Sequence, residues 1–265
     1  GGHASSEPLP VDPRGYDVVY FCAAPATATE TEAVYIHGYR RVLEALDRCA
    51  RHPRRIVLAG STGVIGDAGG AAVDESTARD EFSPRAKVLC AWEDLFSQWA
   101  RAPRIGPVPA GDHGSVVILR LAGLYGPGRN PLAQLKARTY RYPRDPALGI
   151  NQIHIADAAA ALVRAGQIES APGTVEVIHG SDGQFPSRQE YIEAICAAYD
   201  LPIPAATAAT AATAATAATN SPRASARTVG DRRILNAKMK RLLMPDLAFP
   251  SYREGIASFE LNTVE

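Results

Sequence analysis

The side chains equipped for chemistry begin with Ser61 and Thr62. They follow the apolar run Arg55-Ile56-Val57-Leu58-Ala59-Gly60 and precede Gly63. A run that stops abruptly in Gly, Ser, Thr and Gly reads as a buried parallel strand delivering two hydroxyls at its carboxyl end. Ligands of open α/β sheets sit beyond those ends, so the hydroxyls are placed to donate to a substrate carbonyl or hydroxyl. The same pair also suits the humbler task of capping the next turn. Arg85 has the fork to clamp a carboxylate or phosphate, or stands solvated at the start of a helix. His154, in Asn151-Gln152-Ile153-His154-Ile155, offers acid/base chemistry near neutrality or a hydrogen-bonded hold on a loop.

These groups need a scaffold. Tyr16 to Pro25 reads as a buried strand closed by small residues. Residues 32–50 carry a helical apolar pattern, and 55–60 form the next strand: the strand–helix–strand unit of a parallel sheet. Residues 67–84 are Gly-, Asp- and Glu-rich and read as irregular. Residues 85–101 form a helix with Val88, Leu89, Trp92, Leu95, Phe96 and Trp99 on one face. Ser115 to Leu121 is another buried strand, running into Tyr125-Gly126-Pro127-Gly128. A short strand at 151–155, an alanine-rich helix over 156–166 and a strand at 174–180 follow. Asp157 is placed to cap the alanine-rich helix. Ser187 and Glu190 form an S-x-x-E capping box that opens a helix to about residue 199. Residues 205–219 are Ala-Ala-Thr repeated five times. Their period of three matches no packing face, so they read as a low-complexity linker or flap.

The 265 residues suffice for one large domain or a domain plus a lobe. Basic and acidic residues balance at 28 each, which gives no field for nucleic acid or an anionic membrane. No apolar run reaches the roughly 20 residues of a membrane span. Cys22, Cys49, Cys90 and Cys196 are scattered without a C-x-x-C pair. That spacing fits a reducing compartment, the cytoplasm, and argues against a structural zinc site; no metal is expected.

Four stretches carry a resemblance. They are Tyr16 to Pro25, Ser61 to Gly66, Leu119-Arg120-Leu121-Ala122-Gly123-Leu124-Tyr125-Gly126-Pro127-Gly128, and Asn151-Gln152-Ile153-His154-Ile155-Ala156-Asp157-Ala158. In that order the chain resembles the extended and atypical short-chain dehydrogenase/reductases, the NAD-dependent epimerase/dehydratase group. The resemblance implies an α/β fold: a truncated Rossmann-like, doubly wound parallel sheet with a small C-terminal substrate lobe. Residues 1–15 would be an irregular N-terminal segment, 16–166 the truncated core, and 167–265 the lobe. It also implies NAD or NADP as cofactor, with Ala23, Ala24 and Pro25 at the cofactor-facing strand end. Ser61 stands at the family's Ser/Thr position, with Thr62 beside it. Tyr140, Arg141, Tyr142 and Arg144 fall where the family places its substrate lobe, suiting an anionic or aromatic substrate, or else form a solvated face.

The chain departs from the pattern in two ways. No G-x-x-G-x-x-G turn is present to cradle a pyrophosphate, and the pattern begins near the family's third strand, about 60 residues late. The Tyr-x-x-x-Lys pair is also missing: counting back from Glu93, its positions hold Arg85 and Leu89. Arginine stays charged near neutral pH and is no general acid. Tyr125 is the nearest phenol to replace the tyrosine. Three functions therefore stay open. One is an epimerase, dehydratase or ketoreductase acting on a small metabolite through a nicotinamide. Another is a cofactor-independent isomerase, cyclase or dehydratase. The third is a non-catalytic small-molecule-binding accessory subunit. Loss of the family's first strands would also leave the strand at 16–24 as an open edge. Residues 7–12, a homodimer or a partner chain would then cover it.

Overall fold

The computed structural model describes residues 11–102, 114–142, 146–205 and 231–260. The segment expected at residues 7–10, Arg144 and the Ala-Ala-Thr tract from residue 206 lie outside them. Val11 and Asp12 are not in a strand.

Four parallel strands form the central sheet. They are β1 (Val18–Phe21), β2 (Arg55–Ser61), β4 (Ser115–Leu121) and β7 (Val175–Gly180), in the order β1-β2-β4-β7. Val18 pairs with Arg55, Ile56 with Val116, and Arg120 with His179. β2 and β4 are near-continuous apolar runs because both faces are covered. On one face lie a π-helical turn (Ala33–Gly38), α1 (Tyr39–Leu46) and α2 (Pro84–Arg101). Ile56, Leu58, Val116 and Ile118 meet Trp92, Phe96 and Trp99 there. On the other face Val57, Val117, Leu119 and Ile178 meet α4 (Ile155–Ala165), whose alanines allow a close approach. The sheet is thus wound on both sides, as the resemblance implied. Its fourth strand comes from residues 175–180, beyond the core boundary expected at 166.

The strand expected over Tyr16 to Pro25 is shorter and less buried than its apolar sequence suggested. Among the described residues β1 pairs only with β2, and Tyr20 is 43% exposed. The Tyr20 hydroxyl donates to Val163 O at 3.3 Å, laying the ring over the end of α4.

Two smaller parallel pairs rise above the carboxyl ends of the sheet strands. β5 (Gly123–Tyr125) pairs with β6 (Gln152–His154). β3 (Ala72–Val73) pairs with β8 (Arg233–Ile234), so the stretch expected to be irregular contains a strand. A third core joins α3 (Leu132–Lys136), α5 (Arg188–Ala198) and α7 (Tyr252–Ile256) through Leu135, Tyr140, Tyr142, Tyr191, Ile195 and Ile256. A short α6 (Ala237–Leu242) covers β7 from the α4 side. The capping box forms as its sequence predicts: Ser187 Oγ accepts from Glu190 N at 3.1 Å, and Glu190 Oε2 accepts from Ser187 N at 2.7 Å.

Candidate functional site

Ser61 closes β2, and its Oγ accepts from Gly63 N at 3.1 Å, capping the 3-10 turn that follows. The residue is half-buried at the carboxyl end of its strand. Thr62 is buried, and its Oγ1 donates to Leu121 O at 3.4 Å. Thr62 therefore joins the ends of β2 and β4, and Ser61 is the reachable hydroxyl of the two. Ala23 and Ala24 are exposed at the end of β1 beside them, and the Tyr39 hydroxyl donates to Ala23 O. Arg85 is exposed in the first turn of α2, after the Ser83 cap and Pro84. Leu89 is buried and lies along Gly63, where an added Cβ would come within 3.4 Å of its Cδ1. The two positions of the missing Tyr-Lys pair thus hold a solvated cation and a core leucine.

Tyr125 and His154 are brought together in packing. Their rings meet edge to face at 5.3 Å. The Tyr125 hydroxyl donates to Ser251 O at 3.2 Å. Gly255 makes room for the ring, since a Cβ there would fall 2.4 Å from Tyr125 Cε2. Burial, reinforced by the carboxylates of Asp182 and Asp157, pushes the phenol far above its ordinary pKa. Tyr125, the nearest phenol to the missing tyrosine in the sequence, is thus held with its hydroxyl on Ser251 O. His154 accepts from Ala156 N on Nδ1 at 3.2 Å, which places the ring proton on Nε2, 2.9 Å from Ser258 Oγ. Ser258 Oγ in turn donates to Gly255 O at 2.7 Å. Phe249 covers the ring at 3.7 Å. Burial lowers the His154 pKa, against a smaller pull from Asp157, so the neutral tautomer satisfies every bond.

Asp157, expected to cap α4, does something else. His154 is the cap, while the Asp157 carboxylate accepts from Ala248 N at 2.8 Å and Phe249 N at 3.0 Å. It fastens the C-terminal segment across the start of α4. Tyr140 and Tyr142 pack edge to face at 5.4 Å within the third core. Burial raises both phenols. They line the lobe from inside and present little surface to a substrate.

Sequence reasoning passed over the most unusual polar groups. Arg120 is 4% exposed and grips Glu93 with two 2.8 Å bonds, Nε to Oε1 and Nη2 to Oε2. Its neighbour in register, His179, is 0% exposed. Among the described residues neither ring nitrogen of His179 has a hydrogen-bond partner, nor does Arg120 Nη1. Burial pushes the His179 pKa down to about 4, aided by the charges of Arg120, Lys238 and Arg232 and opposed by Asp74. The signal was a lone arginine inside the apolar run Val116 to Leu121, which demands a buried partner. Asp182, also buried, is raised to about 7 by burial, with a further push from Asp157. Among the described residues no group of three or more His, Cys, Asp or Glu could hold a metal ion, and no helix is long and apolar enough to cross a membrane.

With this geometry in hand, the chain compares with known proteins as follows. No family model matches it. Protein YeeZ of Escherichia coli strain K12 is 36% identical over 122 residues, which span 46% of this chain and 39% of YeeZ. Human epimerase family protein SDR39U1, solved with NADPH, superposes with a TM-score of 0.73 at 16% identity, covering 97% of this chain and 84% of that one. UDP-glucuronic acid 4-epimerase of Bacillus cereus, solved with NAD, gives 0.70 at 18% identity, covering 96% and 78%. At these identities the likeness is one of fold: the chain has the parallel, doubly wound architecture of the nicotinamide-dependent epimerases.

Proposed function

We propose that this epimerase-fold chain belongs to an atypical short-chain dehydrogenase/reductase-like enzyme of epimerase, dehydratase or ketoreductase type, acting on a small metabolite. The supporting observation is the carboxyl end of the paired strands β1 and β2, where half-buried Ser61 closes one and exposed Ala23 and Ala24 follow the other. A hydroxyl there donates to a carbonyl or alkoxide, and small residues admit a flat ring. The fit to a nicotinamide is incomplete. Buried Leu89 has no group for a ribose hydroxyl, and the sequence holds no Gly-rich turn for a pyrophosphate. The chain's own part is therefore substrate orientation by Ser61. Arg85, exposed at the start of α2, supplies a fixed positive charge and transfers no proton.

A second reading, cofactor-free chemistry or a non-catalytic small-molecule-binding subunit, draws support from Tyr125 and His154. Their polar atoms are committed to Ser251, Ser258 and Ala156. Native mass spectrometry of the chain with NAD⁺, NADH, NADP⁺ and NADPH separates the two. Retention of one nicotinamide per chain supports the first reading, and binding of none of the four overturns it. The same spectra test a further part of the proposal, that a second copy or a partner chain covers the edge at 16–24. Tyr16 and Tyr20 are exposed there and β1 pairs on one side among the described residues. A monodisperse monomer overturns it.

A further inference from the structure

The row Gly60, Arg120, His179 crosses β2, β4 and β7 one residue short of Ser61. Strand alternation turns the Arg120 and His179 side chains to the α2 face, where Glu93 waits. Three polar atoms there, Arg120 Nη1 and both ring nitrogens of His179, are buried and unpartnered. Each such atom destabilises the fold unless something bonds it. A leucine or valine would fill a strand interior without that cost. The neutral ring offers one N–H, and Arg120 offers another. Two neighbouring donors suit the two oxygens of a carboxylate, and Arg120, Lys238 and Arg232 bring positive charge near the ring, against the negative charge of Asp74.

A carboxylate already visits this corner. The turn at 74–77 lies over the end of β7, and Glu75 Oε1 accepts from His179 N at 2.7 Å. The turn itself is tied by Thr77 N to Asp74 O at 3.1 Å and by Ser76 to Asp74 Oδ1. Its residues are exposed or half-buried, unlike the strand beneath. Glu75 thus reaches from a surface turn to the main chain of His179, the residue whose ring nitrogens are unpartnered among the described residues.

We propose that Arg120 and His179 form a subsite for the carboxylate of a small acidic metabolite, and that Glu75 guards it as a built-in competitor. Binding lifts the 74–77 turn and exchanges the Glu75 carboxylate for that of the ligand. The site lies beside the cleft but needs no nicotinamide, so it stands or falls apart from the reading above.

Malonate is the probe. Calorimetric titration of the full chain, of Glu75→Gln and of the double variant Glu75→Gln/His179→Leu tests the idea. Removing the competing charge should tighten malonate binding about tenfold, and the double variant should lose that gain. The His179 ring ¹⁵N resonances of the parent should move on titration. Glu75→Gln changes a surface turn and His179→Leu exchanges a polar for an apolar buried side chain, so folding is checked simply by circular dichroism. Equal binding by parent and Glu75→Gln, a gain that survives in the double variant, or motionless ring resonances would each overturn the proposal.

Discussion

Two buried histidines, twenty-five residues apart, divide the molecule into two kinds of polar interior. His154 bonds at both ring nitrogens, is stacked by Phe249, and sits where Asp157 also fastens the chain. His179 bonds at neither. A fully satisfied polar group is a fastener, and its value is geometric: it fixes how the C-terminal segment meets α4. An unsatisfied one lowers stability, and its presence in a fold asks for a reason. The contrast turns a sequence expectation around. His154 had the motif and turns out to be fastened, whereas His179 had no motif and carries the unspent bonding capacity.

Substitutions test this contrast, beginning with the greatest loss. Arg120→Ala leaves the Glu93 carboxylate buried with only the longer 3.4 Å contact to Arg79 Nη1. It should cost about 3–5 kcal/mol in urea unfolding. A loss below about 1 kcal/mol would show that the polar row is no part of the stable core.

Asp182 gives the next effect, through pH. Burial raises its folded pKa to about 7, above the 3.8 of a free aspartate. The folded state therefore holds a proton that the unfolded chain releases, and stability is full below pH 4 and falls as pH rises through 7. Asp182→Asn removes that slope. The variant should gain on the parent by about 3–4 kcal/mol between pH 4 and 8. Parallel profiles of melting temperature against pH would refute the assignment.

The histidines themselves come last. His154→Leu removes the cap of α4 and the bond to Ser258, for a loss of about 2 kcal/mol. His179→Leu removes atoms that have no partner, so at pH 7 it should lie within about 1 kcal/mol of the parent or above it. Its effect grows in acid. The folded pKa of about 4 lies below the 6.5 of a free histidine, so the unfolded chain takes up a proton first and the parent loses stability as pH falls from 6.5 to 4. His179→Leu should flatten that limb in thermal melts. If both leucine variants lose the same stability at pH 7, the distinction between the two sites collapses.

Much of the scaffold was legible from local pattern. The apolar runs 55–61 and 115–121 specify buried parallel strands because both faces are covered, and Ser187 with Glu190 announces its helix through a local, chemically specific cap. What the sequence hid is long-range pairing. Nothing near Ala72 and Val73 signals a strand, since their partners Arg233 and Ile234 are far along the chain. Nothing near Tyr125 shows that Gly255 will close over it. The site was legible in the same measure. Ser61 could be placed from its own strand, whereas the environment of His179 is assembled from β4, β7 and a turn, none of which reveals its neighbours in one dimension.

The β3–β8 pairing sets an order of assembly. Ala68 N and Gly70 N donate to Asp231 O, Arg233 N donates to Ala71 O, and Leu235 N donates to Val73 O. Asn151 ties in a third stretch, donating to Arg232 O and accepting from Ile234 N. Contacts of such wide separation form late, because the intervening chain must be closed before they repay it. The turn that carries Glu75 is anchored next to β3, so it is secured only when this closing seam is drawn. On a nascent chain the polar row beneath would be open to the solution until the last strand arrives, and the finished corner would record the end of folding rather than its beginning.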